Sequence, residues 1–120
     1  MKVLVVDDEG IVLESCRRVL EAEGFAVALS PSVTDAIERM ASDRPALLLV
    51  DVKMPVHDGM YLLRQVRACY PDLPVVVMSG YATADTIRTA SELGAARFVA
   101  KPFTPDELLA AIRSVRQQRG

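Results

Sequence analysis

Four short, unbroken apolar runs recur along the chain: Val3–Val6, Ala26–Leu29, Leu47–Val50 and Val75–Met78, with a weaker fifth at Arg97–Ala100. Runs of this length, two of them rich in Val, suit strands buried on both faces, as in a parallel sheet. The segments between them carry helical spacing. Val12, Cys16, Val19 and Leu20 form one stripe, closed by Gly24. Ser32 to Asp43 carries Val33, Ala36, Ile37 and Met40, with Ser32 as N-cap and Pro45 beyond the end. Asp58 to Cys69 carries Leu62, Leu63 and Val66, with Pro71 after it, and Thr83 to Leu93 carries Ile87 and Ala90, closed by Gly94. Thr104 to Arg116 carries Leu108, Leu109, Ile112 and Val115, and Thr104 with Glu107 makes a capping box behind Pro105 at the first helical position.

A strand–helix alternation repeated in this way predicts an α/β fold, a doubly wound five-stranded parallel sheet with five helices. Crossovers between parallel strands are right-handed. If the chain starts on a central strand and reverses direction once, the strand order is 2-1-3-4-5. Helices 1 and 5 then cover one face and helices 2, 3 and 4 the other. A ligand site is expected at the carboxyl ends of strands 1 and 3, where the winding switches.

Composition narrows the classes. The 120 residues suit one domain, 1–120, and 51% hydrophobic with 25% charged residues excludes a disordered chain. The net charge of −2 argues against nucleic-acid binding by bulk charge. No apolar run approaches the roughly 18 residues of a membrane span. The N-terminus turns acidic after MKVLVV, unlike a signal peptide, so the expected location is cytoplasmic. Cys16 and Cys69 are too few for a disulfide scaffold and read as two free thiols on opposite faces of the sheet.

The polar residues that end the strands point to chemistry. Strand 1 ends in Asp7-Asp8, strand 3 in Asp51, strand 4 in Ser79 and strand 5 in Lys101-Pro102. An Asp at a strand end is commonly a turn or cap residue, and Ser-Gly is common turn chemistry. Together at one sheet edge they say more. Two carboxylates 4 Å apart repel by about 4 kcal/mol at an effective dielectric near 20, so three ionise together only beside a cation. Few, hard oxygen ligands suit Mg²⁺. A cation, a lysine and a hydroxyl around one carboxylate suit a phosphoryl group, with Asp51 as the nucleophile that becomes an aspartyl phosphate.

These residues carry a resemblance. VLVVDDE at 3–9, LLLVDVKMPVHDG at 47–59, VVVMSGYAT at 75–83 and FVAKPF at 98–103 resemble the receiver domain of two-component response regulators (CheY-like), nearest the NtrC-type branch, across the whole chain. The resemblance implies a flavodoxin-like receiver fold that accepts phosphoryl on Asp51 from a kinase phosphohistidine and is a regulatory domain rather than an enzyme. It implies that Asp8, Asp51 and the backbone carbonyl of Lys53 hold Mg²⁺, with Asp7 acting largely through water. Lys101 would contact the phosphoryl oxygens and Ser79 would swing to them. Phe98 stands at the aromatic switch position, without the hydroxyl of the tyrosine many relatives carry. The Lys101-Pro102 bond would be cis. The implied partners are a sensor histidine kinase or phosphotransfer protein, a downstream output domain or protein, and a homodimer formed on phosphorylation. Nucleic acid and membrane are not among them. The chain would be a stand-alone receiver or the front end of a longer regulator.

Other residues complete the reading. Lys53 and Tyr81, each two residues after a site residue, are expected to obstruct the water that hydrolyses the aspartyl phosphate. Docking for phosphotransfer is expected near Gly10, Ile11, Glu14, Pro102 and Phe103, and output from helix 4, strand 5 and helix 5. Gly59 reads as a residue of free backbone geometry at a helix start, His57 as a solvated loop residue, and Arg113, Arg116 and Arg119 as a solvated helix face. Two other classes lack their signatures in this sequence. A dehalogenase-type phosphatase would want an Asp where Lys53 stands. A flavin binder would want a Ser/Thr/Gly-rich phosphate loop where Asp-Asp-Glu follows strand 1.

Overall fold

The computed structural model describes residues 1–119, with side chains through Val115. Among them, five strands alternate with five helices: β1 (Lys2–Val6), α1 (Gly10–Ala22), β2 (Ala26–Ser30), α2 (Val33–Ser42), β3 (Leu47–Asp51), α3 (Gly59–Cys69), β4 (Val75–Ser79), α4 (Ala84–Glu92), β5 (Arg97–Ala100) and α5 (Pro105–Arg119). The strands form one parallel sheet in the order β2-β1-β3-β4-β5, as expected.

The sheet divides two apolar layers. Leu13, Cys16 and Leu20 of α1 and Leu108, Leu109, Ile112 and Val115 of α5 pack on Val3, Val5, Leu47, Leu49, Val76 and Met78. On the other face Val33, Ala36 and Met40 of α2, Leu62, Leu63 and Val66 of α3, and Ala90 of α4 cover Leu4, Val6, Leu48, Val50, Val75 and Val77. Odd and even positions of each strand therefore serve opposite layers, which is why β3 and β4 are buried throughout. The margins of the helices carry less of this load than expected, with Ile37 and Ile87 left exposed.

Local chemistry sets the helix ends. Ser32, Asp58 and Thr83 accept hydrogen bonds from the backbone N–H three residues on, and Thr104 and Glu107 exchange reciprocal bonds. Gly24 and Gly94 close α1 and α4 with φ of +89° and +95°, a conformation costly for a side chain with Cβ. The Lys101-Pro102 bond is cis. Both cysteines are free, Cys16 buried against the α1–α5 layer and Cys69 exposed on α3. Arg113 pairs with Glu23 at the end of α1 at 2.9 Å. Arg116, Arg119 and the expected tail over 116–120 lie outside the described side chains.

Candidate phosphoacceptor site

Three strand ends and one loop build the site. Register places Val6 beside Val50 and Asp51 beside Met78, so the residues that follow β1 and end β3 and β4 emerge at one sheet edge. Asp7 is fully buried; its N–H donates to the Ser30 carbonyl at 3.1 Å and its Oδ1 accepts from the Glu9 N–H at 2.9 Å. Asp51 is 5% exposed and Ser79 1% exposed, whereas Asp8 is open to solvent. One carboxylate oxygen from each of Asp7, Asp8 and Asp51 fits within a 4.8 Å span.

Lys101 enters from the opposite side. Its Nζ lies 2.8 Å from Asp7 Oδ2 and 3.2 Å from Asp51 Oδ1. Its N–H donates to the Ser79 carbonyl at 2.8 Å, which ties the lysine to the end of β4. Burial alone would lower the Lys101 pKa, but the hydrogen bond and charge of Asp7, then Asp51, outweigh it and raise it. Burial, followed by the charge of Asp7, raises the Asp51 pKa; Lys101 opposes this only in part. A carboxylate short of positive charge, among two others, fits a hard divalent cation by its donor chemistry.

The loops settle other expected residues. The Tyr81 N–H donates to Ser79 Oγ at 2.9 Å, an ST-turn that fixes the hydroxyl beside the site. Lys53 and Tyr81 meet directly, the ammonium lying 3.6 Å from the ring centroid. Phe98 is half-buried on the α4 side of the sheet, packed against that layer. A cleft of about 550 Å³ opens beside Lys101, lined in part by Ile11, Cys16, Pro102 and Phe103. Burial, then the charge of Asp7, pushes the Cys16 thiol up to about 11.

Two expectations are refined. His57 lies in the loop, as expected, but is half-buried: its ring stacks on Tyr61, with centroids 4.1 Å apart and planes at 12°. The Asp58 cap starts α3 at once and brings Tyr61 beneath His57, while the His57 N–H closes a γ-turn on Pro55 across Val56 at φ +69°. Two aromatic residues four apart, one on each side of a cap, are the signal that was available. Gly59 does not use the free backbone geometry expected of it. Its φ is unexceptional, and what matters is close approach: a Cβ there would lie 2.2 Å from the Asp51 carbonyl oxygen.

The comparisons with known proteins agree with this geometry. A family model, the response regulator receiver domain, matches residues 3–113. Response regulator MprA of Mycobacterium avium is 39% identical over 115 residues, which are 96% of this chain and 50% of that protein. The chain thus spans about half the length of the curated relatives it matches. A CheY-like receiver domain protein from Methanospirillum hungatei superposes with a TM-score of 0.91 at 26% identity, covering 99% of this chain and 98% of that one. The receiver domain of NtrX from Brucella abortus gives 0.87 at 31% identity, over 95% and 98% of the two chains. With the acidic cluster, lysine and hydroxyl at the switch point of a 2-1-3-4-5 sheet, this chain belongs to the response regulator receiver domain family.

Proposed function

We propose that residues 1–120 act as one receiver domain that takes a phosphoryl group onto Asp51 and so switches a partner. The observation that carries this reading is the Asp51 carboxylate, nearly buried, 3.2 Å from the Lys101 ammonium and within one cluster with Asp7 and Asp8. The donor is a phosphohistidine of a sensor kinase or phosphotransfer protein. An Asp51 oxygen forms the new P–O bond as the P–N bond breaks, and the electron pair leaves with the donor imidazole. Lys101 neutralises phosphoryl oxygens, and Ser79 donates its hydroxyl proton to one of them while still accepting from Tyr81.

Asp7, Asp8, Asp51 and the Lys53 carbonyl would hold Mg²⁺, which neutralises charge on the transferring group. The donor protein docks on the rim of the cleft, at Gly10, Ile11, Glu14, Pro102 and Phe103. Ile11, 76% exposed at the start of α1, supports that placement. Output runs through Ser79 and Phe98 to α4, β5 and α5, as a shift between two existing conformations. Lys53 and Tyr81, stacked at the mouth, slow hydrolysis of the aspartyl phosphate.

Incubation with acetyl phosphate and Mg²⁺, read by intact mass, tests the acceptor. Wild type should gain one phosphoryl group and Asp51→Asn none. Equal labelling of the two proteins would refute the assignment. NMR of wild type with Mg²⁺ and beryllofluoride tests the output path: shifts confined to α1 and α2 would refute it.

A further inference from the structure

We infer that Gly59 is a positioning residue for the phosphoryl-acceptor site, an inference that rests on the reading of Asp51 above. Gly59 is buried at the first position of α3, and its N–H donates to the Val52 carbonyl at 2.8 Å. A Cβ there would stand 2.2 Å from the Asp51 carbonyl oxygen, 2.9 Å from its carbon and 3.0 Å from Val52 Cα. All three neighbours are backbone, so none can swing aside as a side-chain tip could. The end of α3 therefore rests directly on the peptide that joins Asp51 to Val52. Gly10 and Gly80, the other glycines near the site, have open space where a Cβ would go.

A side chain at 59 must push either the helix outward or the peptide inward. The helix resists. Met60, Leu62, Leu63 and Val66 are buried in its layer, and the Asp58 cap fixes its first turn. The push falls instead on residues 51–53. That short segment carries the acceptor carboxylate, its 3.2 Å approach to Lys101, and the Lys53 carbonyl assigned to the metal. Gly59 thus sets, without touching substrate, where the carboxylate and the carbonyl stand relative to each other. Displacement of reacting groups by an ångström is enough to cost orders of magnitude in rate.

The test uses the full chain with Gly59→Ala, and Leu63→Val as a comparison that loosens α3 packing without loading the Asp51 peptide. Three readouts are taken: amide shifts at residues 51–53 without metal, Mg²⁺ affinity by NMR titration, and phosphorylation rate at saturating acetyl phosphate. Gly59→Ala should move the amides of residues 51–53 most and reduce affinity and rate by about tenfold or more. Leu63→Val should lower the melting temperature and leave affinity and rate unchanged. A folded Gly59→Ala protein with wild-type affinity and rate overturns the inference. So does a Leu63→Val protein, equally destabilised, that loses as much of both. If Gly59→Ala does not fold, it is rebuilt in the Asp8→Ala background, where one carboxylate repulsion is relieved: metal-free amide shifts concentrated at residues 51–53 relative to Asp8→Ala alone support the inference, and unmoved amides there overturn it. A wild-type protein that takes no phosphoryl group refutes the Asp51 reading instead, and the Mg²⁺ titrations still decide on Gly59.

Discussion

Removing Asp8 should stabilise the metal-free protein and abolish its response to Mg²⁺. The oxygens of Asp7, Asp8 and Asp51 that form the cluster lie within 4.8 Å of one another. Two unit charges at that distance repel by about 3.5 kcal/mol at an effective dielectric of 20 and about 0.9 kcal/mol in water. Asp8 is exposed, so the water value governs each of its two pairs. Lys101 lies against Asp7 and Asp51 and its attraction for Asp8 offsets part of the gain. The net relief in Asp8→Ala is about 1 kcal/mol. For a 120-residue chain that is a rise of about 4 °C in melting temperature. No cap is lost, because Glu9 holds the N-cap position of α1. Free Mg²⁺ at ten times its Kd adds about 1.4 kcal/mol to wild type, and little to a variant short of one ligand. The order of melting temperatures should therefore invert between EDTA and Mg²⁺. Circular dichroism melts of both proteins in both buffers read it directly. A variant that melts below wild type in EDTA, or that gains as much from Mg²⁺, would refute the reasoning.

Other outcomes follow from the same geometry. The Lys53→Asn, Tyr81→Ala double variant should lose its phosphoryl group faster, since it removes the stacked ammonium and ring at the mouth; a tenfold change is only about 1.4 kcal/mol of barrier. Equal radiolabel half-lives would dismiss that obstruction. The raised Lys101 pKa means its stabilisation is complete below the ordinary lysine value and is lost as pH climbs through the folded one. Urea unfolding should show the stability gap between wild type and Lys101→Gln closing above pH about 10.5, and a gap that widens there would contradict the pairing. In native protein near pH 8, Cys69 should react quickly with a thiol reagent and Cys16 only after unfolding, because Cys16 is buried with its thiol pushed to about 11. Two equally fast thiols would place Cys16 outside the core.

Much of this protein is legible in one dimension because the signals are local. A strand buried on both faces needs an unbroken apolar run, and Leu47–Asp51 and Val75–Ser79 supply it. A helix start needs an oxygen three residues ahead of a free N–H, and Ser32, Asp58, Thr83 and Thr104 provide one each. Crossover handedness then turns the order of elements into a strand order, and the strand order brings Asp7, Asp8, Asp51, Ser79 and Lys101 to one edge. Tertiary structure alone decided how those residues meet. Lys101 Nζ sits nearer Asp7 than Asp51, at 2.8 Å against 3.2 Å, a difference set by how the side chain lies across the site and not by any spacing along the chain. Lys53 lies on Tyr81, and His57 on Tyr61, through loop conformations and rotamers that hydrophobic periodicity does not reach. Gly59 is the clearest case. Its sequence context suggests a residue free to turn, yet it is held in an ordinary conformation. The reason for its missing side chain is the Asp51 carbonyl, eight residues away along the chain and in contact only once α3 has docked on the sheet.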